Sequence, residues 1–375
     1  MTEKNLYIGL MSGTSMDAID TALVQFEGEN PEIIAYRQFP IDTAIRSAIR
    51  KLDGTSSLET ICKYDGVMAK LFAEAVLKIL DLAEIPASWV KAIGSHGQTV
   101  FHNPDAPYPS SIQIGDPNII SEQTNITTIT DFRRMDIASG GQGAPLAPSF
   151  HAHVFRKKGV HRVILNLGGI ANITVLPANL EEPIAGFDTG PGNGLLDDWI
   201  AKHQKTAFDR DGQWAASGIV NETLLSSFLS DPYFALSPPK STGRDNFHLP
   251  WVEQHLQAMG HKLRPVDVQA TLLMLTVESI ALVIEKGTPH SAEIAICGGG
   301  AHNIYLMKQL KKRLPQFRIN STAELGIDPD AIEALTFAWL ARQTVNQRPG
   351  NNPAVTGAKS EHILGGIYQA YKSKP

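Results

Sequence analysis

Tyr7 to Phe26 reads Y-I-G-L-M-S-G-T-S-M-D-A-I-D-T-A-L-V-Q-F. One apolar run enters this stretch and another leaves it, with Ser12, Gly13, Thr14, Ser15, Asp17 and Asp20 between them. A tight turn of this kind can aim several backbone N–H groups into one concavity, and such concavities bind anions. Gly13 permits close approach to the backbone, and Thr14 and Ser15 add hydroxyl donors. Asp17 or Asp20 could hold the waters of a Mg²⁺ ion that bridges phosphates, because Mg²⁺ favours one or two carboxylates plus water and phosphate oxygens. The plain alternative is a polar hairpin whose Ser and Asp make local turns. A second stretch, R-V-I-L-N-L-G-G-I-A-N-I-T-V-L-P from Arg162 to Pro177, repeats the pattern with Gly168, Gly169 and Asn172. Two such turns favour phosphate binding. The chain has no G-x-x-x-x-G-K-[ST] and no kinase Gly-rich loop, so a nucleotide site here is of another kind.

Asp188 ends an apolar run just before T-G-P-G-N. A carboxylate there suits a general base; the competing role is a cap for the following helix. Gly298, Gly299 and Gly300 lie between a strand and a helix, a place for a nucleotide contact or for a tight turn. Glu333 falls early in the last helix, where an acid also suits the helix dipole. Arg133 and Arg134 could clamp an anionic substrate or be a solvated pair. His96, in S-H-G-Q-T, could bond a sugar hydroxyl or close its strand. His151, His153 and His161 have no metal-ligand spacing with carboxylates.

These residues need strands and helices to place them. Glu32 to Phe39 reads as a strand. Leu58 to Ala83 has apolar residues at three- and four-residue steps and reads as a helix that Pro86 stops. Val90 to Ser95 is a strand ending in H-G-Q-T. Asp131 to Pro148 is polar and Gly-rich and reads as a loop and domain crossing. The second half restarts with strand, Gly turn and strand. A strand ending at Asp188 and a helix follow. A buried helix near Val268 to Glu285, a strand at Glu293 to Cys297, a helix at Ile304 to Leu314 and a last helix at Asp330 to Thr344 complete it. The element order is weakly duplicated. Two α/β domains facing across a cleft would bring both turns to one ligand. The expected domains are 1–145, joined by 355–375, and 146–354.

Composition narrows the classes. At 375 residues two domains are the default. The net charge of −5 argues against nucleic acid or a membrane surface as partner. Cys62 and Cys297 suggest neither a zinc site nor a disulfide framework, which suits a reducing compartment. No signal-peptide pattern opens the chain. The most apolar stretch, Thr271 to Ile284, is interrupted by Glu278 and is short for a bilayer span. A cytoplasmic protein is expected.

Several motifs together resemble the anhydro-N-acetylmuramic acid kinase family: M-S-G-T-S-M-D-A-I-D, G-S-H-G-Q-T-V-F-H, T-D-F-R-R-M-D-I-A-S-G-G-Q-G-A-P-L, L-N-L-G-G-I-A-N, G-F-D-T-G-P-G-N, C-G-G-G-A-H-N and I-E-A-L-T-F-A-W-L-A. Each is weak alone; the ordered set, from Ile8 to Leu340, is specific. The resemblance implies the α/β fold of the actin/sugar-kinase/Hsp70 group, with two RNase H-like domains around a nucleotide cleft. It implies ATP and Mg²⁺, and 1,6-anhydro-N-acetylmuramic acid as substrate. The products would be N-acetylmuramic acid 6-phosphate and ADP, in peptidoglycan recycling.

By the same resemblance, Gly13, Thr14, Ser15, Met16, Asp17, Ala18, Ile19 and Asp20 would form the first phosphate loop. Gly168, Gly169 and Asn172 would meet phosphates, and Gly298, Gly299, Gly300 and Asn303 the nucleotide. Asp188 would take a proton from water attacking the anomeric carbon, with Glu333 as a second acid. His96, Gln98, Arg133, Arg134 and Asp136 would line the sugar, one arginine holding the lactyl carboxylate. Asp17 and Asp188 would face the metal. Ala18 stands where the family commonly has Gly, which matters if that residue needs positive φ. The expected partner is the small amino sugar, with no nucleic acid and no membrane; a homodimer is left open. The rival readings are a conventional sugar kinase of this fold and a non-catalytic ATP-binding sensor or scaffold.

Overall fold

The computed structural model describes residues 5–13, 16–238, 240–243 and 245–370. The chain divides into two compact units. One holds the residues up to Val154 together with those from Ala331 onward; the other is Phe155–Asp330.

In the first unit, β1 (Leu6–Met11), β2 (Ala18–Glu27) and β3 (Asn30–Pro40) form an antiparallel meander. β4 (Val90–Ser95) and then β7 (Thr128–Thr130) add in parallel beside β1, and β13 (Gly366–Tyr368) closes the edge antiparallel to β7. The sheet order is β13-β7-β4-β1-β2-β3. A separate ribbon pairs β5 (Gln98–Asn103) with β6 (Ser110–Ile114). β1 is buried almost throughout, so both faces must be covered. Alternation sends Leu6, Ile8 and Leu10 to one face, where they cluster with Met68, Phe72, Val76 and Ile79 of the helix Leu58–Leu82. Its Ser57 cap accepts from Thr60 N–H. The other face receives the late helix Ile332–Val345, which is buried nearly all round, as its continuous apolar sequence requires.

The second unit repeats the plan. β8 (Arg162–Leu167), β9 (Ile170–Leu176) and β10 (Ala185–Pro191) are antiparallel, and β11 (Glu293–Cys297) and β12 (Arg318–Ser321) add in parallel beside β8. The order β10-β9-β8-β11-β12 matches β3-β2-β1-β4-β7 of the first unit. Each unit is thus an RNase H-like α/β layer, and the weak duplication in the sequence is a strict duplication of topology. The core gathers Val163, Leu165, Ile294 and Ile296 with Leu272, Leu275 and Ile280 of the helix Pro265–Gly287.

Three expectations need correction. The late helix belongs with the first unit, not the second, because β1 and β4 form its seat. The stretch 131–148 is not all loop: it contains the helix Arg134–Ala138 and the start of the helix Ala147–Phe155. The apolar helix Pro265–Gly287 is longer than its most apolar stretch suggests and could cross a membrane by length and composition; 72% of that window is buried inside the second unit. Cys62 and Cys297 are both free thiols.

Candidate active site

The residues of interest form two groups, one in each unit. In the first unit β1 runs into the polar turn at Ser12 and Gly13; Thr14 and Ser15 lie outside the described residues. Ser12 Oγ donates to Gln98 Oε1 at 2.7 Å, and Gln98 Nε2 donates to Thr99 O at 3.2 Å. Both side chains are buried, so Gln98 braces the hairpin. Met16, not Ala18, takes the left-handed conformation, at φ 51°. Ala18 and Ile19 begin β2 as ordinary strand residues, which explains why a methyl is tolerated at position 18.

His96 continues β4 and is 4% exposed. Its Nδ1 lies 2.8 Å from Gly97 O, so Nδ1 carries the proton and donates. Its Nε2 accepts from Arg133 Nε at 3.1 Å and Nη2 at 2.8 Å. Burial, then the Arg133 charge, hold its pKa well below the ordinary value, so the ring is neutral. Arg133 Nη1 donates to Gly143 O at 2.8 Å. Burial lowers the Arg133 pKa to about 10, opposed by the Glu333 carboxylate; Arg133 is a cation at neutral pH. Glu333 is in the first turn of the late helix, and a Cβ built on Gly13 would lie 4.0 Å from its Oε2. The first unit therefore gathers the hairpin, a fixed guanidinium and an acid.

Other expected members stand apart. Arg134 is exposed and paired with Asp131 at 2.7 Å. Asp136 is fully buried and accepts from Gly143 N, Asn351 Nδ2 and Thr356 Oγ1 at 2.7–2.8 Å, so it ties the 139–143 loop to the C-terminal segment. Asp17 is paired with Arg46, and Asp20 accepts from the Tyr36 hydroxyl and from Gln38 at 2.9 Å.

In the second unit the Gly168–Gly169 turn is clamped by the segment after β10. Gly192 N and Gly194 N donate to Gly169 O at 3.0 Å, and Asn193 N donates to Gly168 O at 2.8 Å. A Cβ on Gly192 would lie 2.3 Å from Gly168 O, so glycine is required there. Asn166, Asn172 and Asp188 stand in register across β8, β9 and β10, which puts the three polar side chains on one face. Asp188 lies within β10, with Thr189, Gly190 and Pro191 still to follow in that strand. It is not the helix cap: the helix Gly194–Gln204 starts after Asn193.

Asp188 Oδ2 accepts from Thr242 N at 2.9 Å, and its backbone N donates to Lys240 O at 3.1 Å. Tyr233 Oη donates to Asp188 O at 2.8 Å. Burial raises the Asp188 pKa to about 6, against the opposing effects of the Thr242 N–H and the Lys240 charge. A carboxylate with a pKa near the working pH can both take and return a proton. Lys240, Thr242 and Tyr233 were not among the residues expected from sequence. A lysine in the small polar run K-S-T-G was the available signal.

Gly298 has φ 78°, and its N donates to Pro329 O at 3.0 Å. A Cβ on Gly298 or Gly300 would strike Asn166 Oδ1 or Leu167 Cβ at 2.4 and 2.5 Å, whereas Gly299 has open space. Gly298 and Gly300 are thus needed for packing, and Gly299 is the one that leaves room for a ligand. Asn303 Oδ1 accepts from Leu306 N at 3.0 Å and caps the helix Ile304–Arg313.

The carboxylates expected to face the metal have neighbours of their own. Asp17 and Asp20 are engaged by Arg46 and by Tyr36 and Gln38, and Asp188 lies beside the charge of Lys240. No group of three or more His, Cys, Asp or Glu that could hold a metal ion occurs among the described residues.

Two duplicated α/β layers, one with a hairpin beside Arg133 and Glu333 and the other with the half-buried Asp188, define the RNase H-like class of fold. Within it the assignment is specific. The anhydro-N-acetylmuramic acid kinase family matches residues 5–370, and this chain belongs to that family. The relative from Coxiella burnetii named anhydro-N-acetylmuramic acid kinase is 49% identical over 371 residues, covering 98% of this chain and 99% of its own. The one so named from Shewanella pealeana is 50% identical over 368 residues, with coverages of 98% and 99%. Among solved structures, the activator of the 2-hydroxyisocaproyl-CoA dehydratase from Clostridium difficile aligns with 91% of this chain and 96% of its own, at a TM-score of 0.46 and 12% identity.

Proposed function

We propose that the protein uses ATP and water to convert 1,6-anhydro-N-acetylmuramic acid into N-acetylmuramic acid 6-phosphate and ADP, a step in cell-wall recycling. The observation that carries the chemical part is Asp188, a half-buried carboxylate with a pKa of about 6, held by Thr242 N–H. Asp188 takes a proton from water as the water oxygen bonds to C1 and the C1–O6 bond breaks. This is the carboxylate-activated water of inverting glycoside hydrolysis. The released O6 accepts the γ-phosphoryl group, and ADP leaves. Phosphoryl transfer needs positioning and charge neutralisation rather than covalent help.

The turns at Gly13–Asp20 and at Gly168–Gly169 suit phosphate, and Gly299 the nucleotide. Arg133 suits the lactyl carboxylate better than Arg134, because His96 and Gly143 O already fix its fork. His96 and Gln98 then act through the groups they brace, and Glu333 serves as the second acid. Mg²⁺ is expected to enter with ATP, held by phosphate oxygens and water rather than directly by Asp17 or Asp188. Free thiols at Cys62 and Cys297 agree with a reducing, cytoplasmic setting. A homodimer is compatible with this reading and is tested by sedimentation.

The test is incubation with ATP, Mg²⁺ and the anhydro sugar in oxygen-18 water, followed by mass spectrometry. The expected product is heavier than the substrate by one phosphate and one labelled water. Phosphate added without water would indicate an ordinary sugar kinase. Bound ATP with no product would indicate a sensor or scaffold.

A further inference from the structure

The C-terminal segment reaches Arg133 through one buried carboxyl group. Asp136 is fully buried in the helix Arg134–Ala138, just beyond Arg133. Its Oδ1 accepts from Asn351 Nδ2 and from Thr356 Oγ1, each at 2.7 Å. Its Oδ2 accepts from Gly143 N at 2.8 Å. The carbonyl oxygen of that same Gly143 accepts from Arg133 Nη1 at 2.8 Å. Three hydrogen bonds in line therefore lead from Thr356 to the guanidinium, by way of Asp136 and Gly143.

The loop in the middle of this path, Ser139–Gly143, reads S-G-G-Q-G. Its glycines have the most conformational freedom to lose on ordering, and Gly140 and Gly143 take positive φ, 86° and 67°. The C-terminal segment supplies the order. Gln142 N donates to Thr356 O at 2.8 Å, and Lys359 N donates to Ser139 O at 2.9 Å. Ser139 Oγ and His362 Nε2 stand 2.9 Å apart, and His362 N donates to Asn351 Oδ1 at 2.7 Å. A Cβ on Gly141 would lie 2.3 Å from Asp136 Oδ2, so the loop is laid directly on the carboxyl group. Asn351 and Thr356 are buried as well. Apolar side chains would suffice to cover a loop. A buried hydrogen-bonded network does more, because it specifies one arrangement, here of the loop whose Gly143 O holds Arg133.

We propose that Thr356 and Asn351 are positioning residues for the sugar site: acting through Asp136 and Gly143, they fix the Arg133 guanidinium where it meets the carboxylate of the substrate. The consequence for the sugar rests on the reading of Arg133 as the lactyl contact. The hold on Arg133 does not.

The test uses full-length Thr356→Val, which keeps the shape of the side chain and removes the donor, with Thr356→Ser as the conservative rescue. The first readout is the Arg133 Nε–H signal in protein labelled with nitrogen-15 arginine, identified as the signal missing in Arg133→Lys. The second is steady-state kinetics with the anhydro sugar and with ATP. For Thr356→Val we expect the Arg133 signal to shift and to exchange with solvent roughly tenfold faster or more. The KM for the sugar rises roughly three- to tenfold, the reach of one displaced charge-assisted contact, and the KM for ATP stays unchanged. Thr356→Ser restores both readouts. In the Arg133→Ala background Thr356→Val no longer changes the sugar KM, because both substitutions break one path. An unmoved Arg133 signal overturns the proposal. So does a KM effect that survives without Arg133, or a loss spread equally over kcat and both KM values, which a merely structural role would give. A moved signal with an unchanged sugar KM upholds the hold on Arg133 and removes Arg133 as the carboxylate contact. If Thr356→Val does not fold, Thr356→Ala is read in the same way.

Discussion

Gly9 and Gly94 stand in register on the neighbouring parallel strands β1 and β4, and the helix carrying Glu333 rests on both. A Cβ on Gly9 would lie 1.8 Å from Ala334 O, and one on Gly94 would lie 2.0 Å from Phe337 O. Ala334 and Phe337 are three residues apart, hence on one helix face. The glycine pair is a shelf that lets the helix backbone touch the sheet and sets the position of its first turn, where Glu333 sits. Gly9→Ala or Gly94→Ala must push the helix away. We expect a loss of about 3 kcal/mol or more, read by urea unfolding, and a drop in turnover beyond the unfolded fraction. Gly54→Ala, which meets nothing within 4 Å, serves as the control and should be neutral within about 0.5 kcal/mol.

Asp188→Asn should separate stability from activity. The folded pKa of about 6 lies above the ordinary 3.8, so the folded state holds the proton more tightly than the unfolded chain. Stability therefore falls as pH rises through this window, and at pH above both values the ionised Asp188 costs about 3 kcal/mol. The Asn variant should be more stable than the parent at alkaline pH, with the difference shrinking towards pH ~4. Its turnover should drop by roughly a hundredfold or more while ATP binding persists. Thermal scans across pH, with ATP titration by calorimetry, check this. Near-normal turnover would remove Asp188 from the base role.

Arg133 and Arg134 should behave differently although they are adjacent. Arg133→Ala leaves His96 Nε2 without its donors and removes the guanidinium from beside Glu333. We expect KM for the sugar to rise by roughly tenfold or more, as befits a charge-assisted contact of about 1.5–3 kcal/mol. Arg134→Ala breaks only an exposed pair with Asp131, worth less than about 1 kcal/mol, and should leave KM unchanged. Steady-state kinetics on the two variants decides it; equal effects would exclude Arg133 as the selective anion contact.

The late helix is also held at its far end. Arg342, 6% exposed in its side chain, donates to Glu29 Oε2 at 2.8 Å and to Gly28 O at 2.6 Å, and Arg348 donates to Glu29 Oε1 at 2.8 Å. These bonds hold the Glu29 pKa at about 2, below the ordinary 4.5. The contribution is present above the unfolded value and is lost as pH falls towards about 2. Glu29→Gln should lower the Tm by about 2–4 °C at neutral pH and converge with the parent in acid. A difference that grows in acid would contradict the assignment.

Periodicity and glycine placement in the sequence determined the two strand-turn-strand units, the helix Leu58–Leu82 and the strands Val90–Ser95 and Glu293–Cys297, while the ordered motifs, through their family resemblance, singled out Asp188, Glu333 and the Arg133–Arg134 pair. Such signals are local, repeating every two or four residues, and need no knowledge of distant partners. The tertiary structure alone decided which unit owns the late helix, because its seat, Gly9 and Gly94, lies more than two hundred residues earlier in the chain. It also decided that Arg133 rather than Arg134 is braced by His96, that Asp136 is buried among Gly143, Asn351 and Thr356, that Asn303 caps a helix, and that Asp188 is a strand residue and no helix cap. Lys240 became visible only there as well. Whether a polar side chain bonds a neighbour or is left for a ligand depends on burial and on groups far apart in sequence, and a linear pattern carries neither.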